Sequence, residues 1–194
     1  PSIAVLPFEN MSGDPEQEFF SDGVTEDIIT ALSKIKNMFV IARNSSFTYK
    51  GKAVWIPDVG KRLGVRYVLE GTVRKAGEKL RVTAQLIDAK TNHHLWAERY
   101  DGTDDDIFEL QDRITEQVAG AILPSIQKAE IERVNRKPPE GLGAYDYTMR
   151  AMRHVWLLDR EAASLALDLL EKALAIDPDY PLALALTAWC WAQH

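Results

Sequence analysis

Residues 65–100, VRYVLEGTVRKAGEKLRVTAQLIDAKTNHHLWAERY, form the one long stretch of the sequence in which apolar and polar side chains alternate. In two runs the apolar residues recur at every second position, as they do in strands with one buried face. A polar connection containing Gly77 separates these runs, and a third run with aromatic residues ends at Tyr100. The stretch therefore predicts a three-stranded antiparallel meander. Because such a meander is marginal alone in water, amphipathic helices must cover its apolar face.

Length and composition limit the classes of protein to consider. The chain has 194 residues, of which 46% are hydrophobic, enough for a sizeable core in one large domain or in one domain with a smaller attachment. The formal net charge of −6 argues against general nucleic-acid binding, which needs a basic surface. Cys190 is the only cysteine, which excludes an intrachain disulfide and fits a reducing compartment.

The sequence shows no long apolar run and no basic-then-apolar leader, so we expect a cytoplasmic protein without a membrane segment in these residues. The first residue is Pro1 and not Met, which suggests a piece of a longer polypeptide. Nucleic acid is not expected as a partner of this piece.

Four elements are predicted before the meander. They are a strand buried on both faces, a helix, a second buried strand and a short helix, at residues 2–6, 22–36, 38–42 and 58–63. Ser21 or Asp22 is expected to cap the longer helix. A loop at residues 8–20 is expected to place its aromatic side chains, those of Phe8, Phe19 and Phe20, in the core.

The sequence DGTDDD at residues 101–106 invites a metal-binding interpretation because it is rich in oxygen ligands. Its spacing lacks the alternating ligands and the final glutamate of an EF-hand loop. We therefore interpret Thr103 or Asp104 as the N-cap of a helix over residues 105–123. Pro124 should kink or break this helix, and residues 125–136 should continue as a charged helix.

The sequence KPPEGLG at residues 137–143 predicts a linker, because two prolines and two glycines cannot lie inside a helix or central strand. We therefore predict an α/β domain at 1–136 and an all-α domain at 144–194. Helices are expected at residues 144–158, 161–176 and 179–193. The middle one carries Ala166, Leu170 and Ala173 at intervals typical of tetratricopeptide repeats, with an atypical first repeat.

A truncated repeat would leave apolar side chains uncovered, because each repeat buries its apolar face on the next. Trp189 and Trp191 would be partly exposed for this reason, whereas Cys190 is expected in the core. We therefore expect protein partners to bind the helical repeats, and dimerisation through their truncated end.

The segment at residues 43–52, RNSSFTYKGK, is the candidate contact site of the chain. One interpretation is a surface loop. The other is a segment that contacts an anionic ligand or partner, because it concentrates positive charge and hydroxyl groups in an acidic protein. The residues proposed for this contact are Arg43, Asn44, Ser45, Ser46, Lys50 and Lys52. A small molecule could then bind in a cleft between residues 8–20 and 43–52.

Motifs for catalysis, metals and cofactors are missing from the sequence. It contains no phosphate-binding GxxxxGK[ST] loop, no GxGxxG after a strand and no HExxH. His93 and His94 are adjacent on a predicted turn, and neighbours in sequence rarely point to one metal. We therefore predict no catalytic residue, metal or cofactor in this segment.

Seven blocks of sequence resemble, in order, the TolB-like amino-terminal domain found with tetratricopeptide repeats in bacterial multidomain proteins. The blocks are SIAVLPF (2–8), NMSGDP (10–15), FSDGVTED (20–27), IARNSS (41–46), LGVRYVLEG (63–71), VTAQLID (82–88) and LWAERY (95–100). In that family the domain commonly follows a class III adenylate or guanylate cyclase domain, as in rhizobia, or a winged-helix DNA-binding domain.

The resemblance covers about residues 1–125 and implies both a fold and a function. The implied fold is an α/β (α+β) domain with a mixed sheet of about five strands covered by helices, followed by an all-α tetratricopeptide-like segment. The implied function is a non-catalytic regulatory, sensory or scaffolding region of a cyclase whose catalytic domain lies upstream. The alternatives are a small-molecule or anion-binding module, or the effector region of a winged-helix transcription regulator.

Overall fold

The computed structural model describes residues 1–103, 106–138, 141–157 and 159–192. The chain divides into two units, Pro1–Ile126 and Gln127–His194. The described part of the first unit combines a sheet with helices, and that of the second is helical. The division at 126/127 lies ahead of the predicted linker at 137–143, and the assignment of domains to 1–136 and 144–194 stays a prediction.

Six strands form one mixed sheet within the described residues: β1 (Ser2–Val5), β2 (Glu9–Asn10), β3 (Phe39–Val40), β4 (Tyr67–Ala76), β5 (Lys79–Asp88) and β6 (His93–Thr103). The strand β1 lies between β3 and β4 and is parallel to both. The strands β4, β5 and β6 form the predicted antiparallel meander, which is confirmed. The sixth strand, β2, pairs in parallel with β4 beyond the end of β1.

Seven helices accompany the sheet in the described part of the chain: α1 (Gln17–Ser33), α2 (Arg43–Phe47), α3 (Ile56–Leu63), α4 (Ile107–Asn135), α5 (Ala144–Val155), α6 (Arg160–Ile176) and α7 (Pro181–Ala192). The first three and most of α4 belong to the first unit. Together with the mixed sheet they give the α+β class, with six strands where about five were expected.

The two faces of the sheet are covered differently. On one side α1 packs against β1 and β4. The helix α4, whose Leu110 lies beside Gly102 of β6, contributes an apolar stripe that is almost completely buried, formed by Leu110, Ile114, Val118 and Ile122. The opposite face has an apolar cluster in which Val68 and Ile87 of the meander pack with Ile56 and Val59 of α3. Successive strand residues point to opposite faces, so Glu70 and Thr72 share this second face with Val68. This second face is therefore apolar beneath α3 and polar beyond it.

The helix α1 begins earlier than the sequence predicted. Ser21 is buried inside the helix and donates its hydroxyl hydrogen bond to the carbonyl of Gln17 at 2.9 Å, so neither it nor Asp22 caps the helix. Phe8 and Phe20 are buried as expected. Phe19 is 86% exposed, so its predicted place in the core is wrong. It lies one residue from Phe20 in a helix, and the two side chains point in different directions.

Two further segments differ from prediction before the meander. The strand β3 has only two residues at an edge of the sheet, and Phe39 is 61% exposed, so a buried strand over residues 38–42 is wrong. The segment expected to be a loop begins as the helix α2, where the Arg43 guanidinium lies 3.9 Å from the centre of the Phe47 ring. These residues are four apart, the spacing at which side chains meet on a helix.

Two predictions differ after the hairpin of β4 and β5. His93 and His94 belong to β6, and the turn lies before them, with Asn92 at a φ of 58°. Thr103 ends β6 and does not cap a helix, whereas Asp104 and Asp105 lie outside the described residues. The side chain of Asp106 instead accepts a hydrogen bond from the Glu109 amide at 3.0 Å.

The proline in α4 does not break the helix, which continues through Pro124 to Asn135. The residue four positions before it is Gly120, which has no side chain and nothing within 4 Å of its Cβ position. Proline removes one backbone hydrogen bond from a helix, and burial along the apolar stripe compensates for this loss. The buried Ile126 shows that the stripe extends past the proline.

The second unit has a core built largely from small residues. Ala166, Ala173 and Ala183 are fully buried, and Leu170 packs among them. Cys190 is also buried, as predicted, and burial raises the pKa of its thiol. The predicted helix ends at Leu158 and Gln193 lie outside the described residues.

Arg150 of α5 satisfies backbone groups where α4 ends. Its Nη2 donates hydrogen bonds to the carbonyls of Val134 at 3.2 Å and Lys137 at 2.7 Å. Carbonyls at the end of a helix have no partner inside the helix, so a cation placed there stabilises them. Asp146 accepts a hydrogen bond from the Lys137 ammonium at 2.8 Å.

Candidate functional site

A cleft of about 510 Å³ lies on the second face of the sheet, beyond the apolar cluster beneath α3. Its walls come from residues 6–10 and 49–54, and its floor comes from β4 and β5. This volume lies within the range of small-molecule sites, which is about 300–1,000 Å³. The segments 8–20 and 43–52, between which a cleft was predicted, both contribute residues to its walls.

The floor consists of two cross-strand pairs of polar residues. Glu70 lies opposite Gln85, and Thr72 lies opposite Thr83. The four side chains share one face because the strand period is two, and each residue is half-buried. Gln85 donates a hydrogen bond from Nε2 to Oε1 of Glu70 at 2.6 Å. One carboxylate oxygen of Glu70 therefore has this amide as its partner.

Lys50 stands at the wall of the cleft and is held by two carboxylates. Its ammonium donates to both carboxylate oxygens of Asp22, at 2.6 and 2.7 Å, and lies 2.9 Å from Oε2 of Glu18. Burial lowers the pKa of Lys50, but the hydrogen bonds and attraction of Asp22 and Glu18 outweigh it and raise that pKa above its usual value. The charge of Lys50 is thus compensated within the protein.

Lys52 also lines the cleft, and its ammonium donates a hydrogen bond to the carbonyl of Thr48 at 2.6 Å. Arg43 lies elsewhere, with its Nε 2.9 Å from Oε2 of Glu26. Four of the six predicted contact residues, Arg43, Asn44, Ser45 and Ser46, are absent from the lining. The structure therefore brings only two predicted residues together in the cleft.

Ser46 cannot contact a partner at the surface, because it is fully buried. Its hydroxyl has no hydrogen-bond partner among the described residues. Asn44 and Ser45 are exposed on α2. Ser46 is buried while Asn44 and Ser45 are exposed because the segment is helical, and neighbouring residues of a helix point in different directions.

The acidic and neutral polar groups of the cleft were not among the contact residues predicted from the sequence. Glu9 and Glu18 line its walls, and Glu70 belongs to its floor. The polar positions of two consecutive strands, 70 and 72 followed by 83 and 85, could have indicated them. Polar residues at such positions are also typical of a sheet face in contact with water. The pattern alone therefore does not distinguish a ligand cleft from a solvent-exposed face.

No group of three or more histidine, cysteine, aspartate or glutamate residues in residues 1–103, 106–138, 141–157 and 159–192 is arranged to hold a metal ion. Among the same residues, none of the helices combines the length and the apolar character that crossing a lipid bilayer requires.

Solved structures with similar chain paths include TolB from Acinetobacter baumannii, at 20% identity and a TM-score of 0.47. This similarity covers 65% of the present chain and 28% of that chain. Lipoprotein GNA1162 from Neisseria meningitidis is 21% identical with a TM-score of 0.46, over 61% of this chain and 96% of that chain.

A relative in Rhizobium meliloti (strain 1021), named "Putative adenylate cyclase 3", is 49% identical over 185 residues. The match covers 95% of the present chain and 32% of the relative, so the chain spans about a third of the length of this curated relative. Residues 1–117 match the family described as "HilA/YgeH-like transcriptional regulator, second domain". The chain, through its α/β unit, belongs to this HilA/YgeH-like second-domain family.

Proposed function

We propose that this chain is a non-catalytic regulatory, sensory or scaffolding region of a multidomain signalling protein. The parent in this proposal is an adenylate or guanylate cyclase whose catalytic domain lies upstream, in the cytoplasm. One observation supports it most. The α/β unit belongs to a family described in transcriptional regulators, and nearly the whole chain matches a third of a protein named as a cyclase.

Transcription control and cyclic-nucleotide synthesis are different outputs, so a unit found with both is better assigned to input than to output. A fold can host many functions, and therefore the assignment must come from sites. The cleft on the α/β unit offers such a site, because it is concave and lined by polar side chains on a rigid sheet.

We expect the purified chain to form no cyclic nucleotide from ATP or GTP with Mg²⁺ or Mn²⁺, because the proposal places the catalytic groups in another part of the parent. The measurement is chromatographic detection of product, with a catalytic cyclase domain as positive control. In the parent, deletion of residues 1–194 of this chain should change cyclase activity several-fold or alter its response to an effector. Turnover by the isolated chain above the protein-free background would refute the proposal.

A second candidate is the effector region of a winged-helix transcription regulator, favoured by the name of the matched family. The residues that precede Pro1 in the parent gene discriminate between the two candidates. A winged-helix domain there would replace the cyclase proposal, and a cyclase catalytic domain would exclude the regulator. A third candidate, binding of a small molecule or anion, is favoured by the cleft.

The helices α5, α6 and α7 are assigned in this proposal to a tetratricopeptide-like unit that binds protein segments. Small buried residues support the assignment, because they allow helices to approach closely. Exposed aromatic residues support the binding role. Trp156 and Trp189 are 59% and 48% exposed, with ring centres 6.5 Å apart, and Trp191 is 63% exposed.

Because these indole rings are exposed, we expect the purified chain to dimerise through its helical end. Light scattering at increasing concentration should show the mass rising from monomer to dimer. Replacement of Trp189 and Trp191 by glutamine should keep the protein monomeric, whereas Trp55→Gln, a change at an exposed tryptophan of the α/β unit, should not. A monomeric mass of the unmodified chain at high concentration would contradict this expectation.

A further inference from the structure

We propose that the cleft on the α/β unit binds a small ligand carrying a protonated amine or guanidinium group. The proposal specifies a class of ligand for the regulatory function proposed above. It rests on that function only for the expectation that the chain receives a signal. The basic sequence of residues 43–52 suggested an anionic ligand, whereas this proposal assigns a cationic ligand to the cleft. The reversal follows from the way in which the charges of the cleft are paired.

The two cations of the lining have protein partners. Three short contacts to Asp22 and Glu18 surround the Lys50 ammonium, which has only three hydrogens to donate. An anionic ligand would have to compete with two carboxylates for those hydrogens. The Lys52 ammonium donates to a carbonyl of its own turn. Lys50 therefore has no hydrogen left for an anion, and Lys52 alone does not present the concentrated positive charge that an anion site needs.

Two of the three carboxylates of the lining, those of Glu9 and Glu70, are less fully paired than the lysines. Glu9, Glu18 and Glu70 face two lysines around the cleft, so formal negative charge exceeds positive charge by one. Glu9 has no ion pair or hydrogen bond from its side chain among the described contacts, and Glu70 accepts one hydrogen bond from a neutral amide. Both carboxylates retain acceptor capacity, which a cationic donor can use.

The floor adds neutral acceptors beside Glu70. The hydroxyl groups of Thr72 and Thr83 lie opposite each other on adjacent strands and can accept hydrogen bonds from an amine. Ala53 and Val54 line the wall and provide apolar surface for the carbon skeleton of a ligand. A ligand with its amine group over the floor and its aliphatic chain along this wall would match the distribution of polar and apolar lining groups. The volume of about 510 Å³ accommodates a ligand of this size.

Glu70→Gln tests the role of the carboxylate with little change in shape. Titration calorimetry with the full chain would use agmatine and spermidine as cationic probes, and pyrophosphate and citrate as anionic probes. We expect the cations to bind and Glu70→Gln to weaken them about tenfold or more, because a charge-assisted hydrogen bond is lost. Glu78→Gln removes the same charge from an exposed turn outside the lining and should leave affinity unchanged.

Lys52→Ala separates the two signs of ligand. It should maintain or improve binding of the cations, whereas an anion site would lose affinity. Circular dichroism and melting temperature without ligand report whether each variant folds, and Glu9→Gln replaces Glu70→Gln if the latter does not. Binding of pyrophosphate or citrate that Lys52→Ala abolishes would overturn the proposal. So would no binding of either cation, or equal weakening by Glu70→Gln and Glu78→Gln.

Failure of the amine proposal is distinguishable from failure of the proposed function. The regulatory function is tested by cyclase assays on the chain and on the parent, which use no cleft ligand. Loss of amine binding with regulation intact would remove the ligand class alone. Turnover by the isolated chain would remove the regulatory function, whatever the cleft binds.

Discussion

Replacing Gly71 by alanine is expected to destabilise the α/β unit by about 2–3 kcal/mol, an effect typical of severe overpacking. A Cβ at this position would lie 2.4 Å from Cε2 of Phe8 and 2.5 Å from the carbonyl oxygen of Thr83. Phe8 is 1% exposed and has little room to move. The carbonyl belongs to β5, the antiparallel neighbour of β4, so its displacement would disturb the ladder.

Urea denaturation followed by circular dichroism would measure the loss of stability. Gly120→Ala is the matched control, since nothing lies within 4 Å of its Cβ position in α4. It should stabilise the protein by up to about 1 kcal/mol, because alanine favours the helix more than glycine does. Equal unfolding free energies for the two variants would show that the contact between Gly71 and Phe8 is looser than described.

The sheet was largely predictable because its strands have clear patterns. The apolar run at Ile3, Ala4 and Val5 predicted a strand buried on both faces, and these residues are fully buried between β3 and β4. The alternation in residues 65–100 predicted the meander and its antiparallel pairing. Both predictions rest on burial patterns that extend over several residues. A single local interaction, such as one hydrogen bond, does not change the structure that such a pattern favours.

Short elements were less predictable because local hydrogen bonds decide them. Just before α1, the side chain of Asp14 accepts a hydrogen bond from the Glu16 amide at 3.0 Å. Ser21 is of a residue type that often caps helices, but it lies inside α1. The helix α2 has only five residues, which is too short to show the apolar periodicity that predicts a helix. The stacking of Arg43 on Phe47 is a consequence of the helical conformation.

Part of the cleft lining could be expected from the sequence, but its charge pairing could not. Lys50 and Lys52 line the cleft, whereas a contact role for residues 43–52 stays a prediction. The partner of Lys50 is Asp22, 28 residues earlier in the chain, and no local pattern links the two. Ion pairing between distant segments therefore cannot be foreseen from a basic sequence alone.

Leu170→Ala is expected to lower the free energy of unfolding of the second unit by about 3 kcal/mol, as for truncation of other fully buried leucines. Leu170 is completely buried in the cluster that joins α5, α6 and α7. Its neighbours Ala166 and Ala173 have no further carbon atoms that could fill the space left by the lost side chain. The cavity should therefore persist, which places the cost in the middle of the usual range of about 2–5 kcal/mol.

Leu165→Ala is the matched control for this change, because it removes the same atoms from a side chain on the same helix that is 53% exposed. Leucine and alanine have similar helix propensities, so the control should change stability by about 0.5 kcal/mol or less. Urea unfolding followed by tryptophan fluorescence, in a background in which Trp55 and Trp96 of the first unit are replaced by phenylalanine, would report the second unit through Trp156, Trp189 and Trp191. A loss at Leu165 as large as that at Leu170 would mean that the outer face of α6 is also buried in solution, against a bound partner or a second copy of the chain.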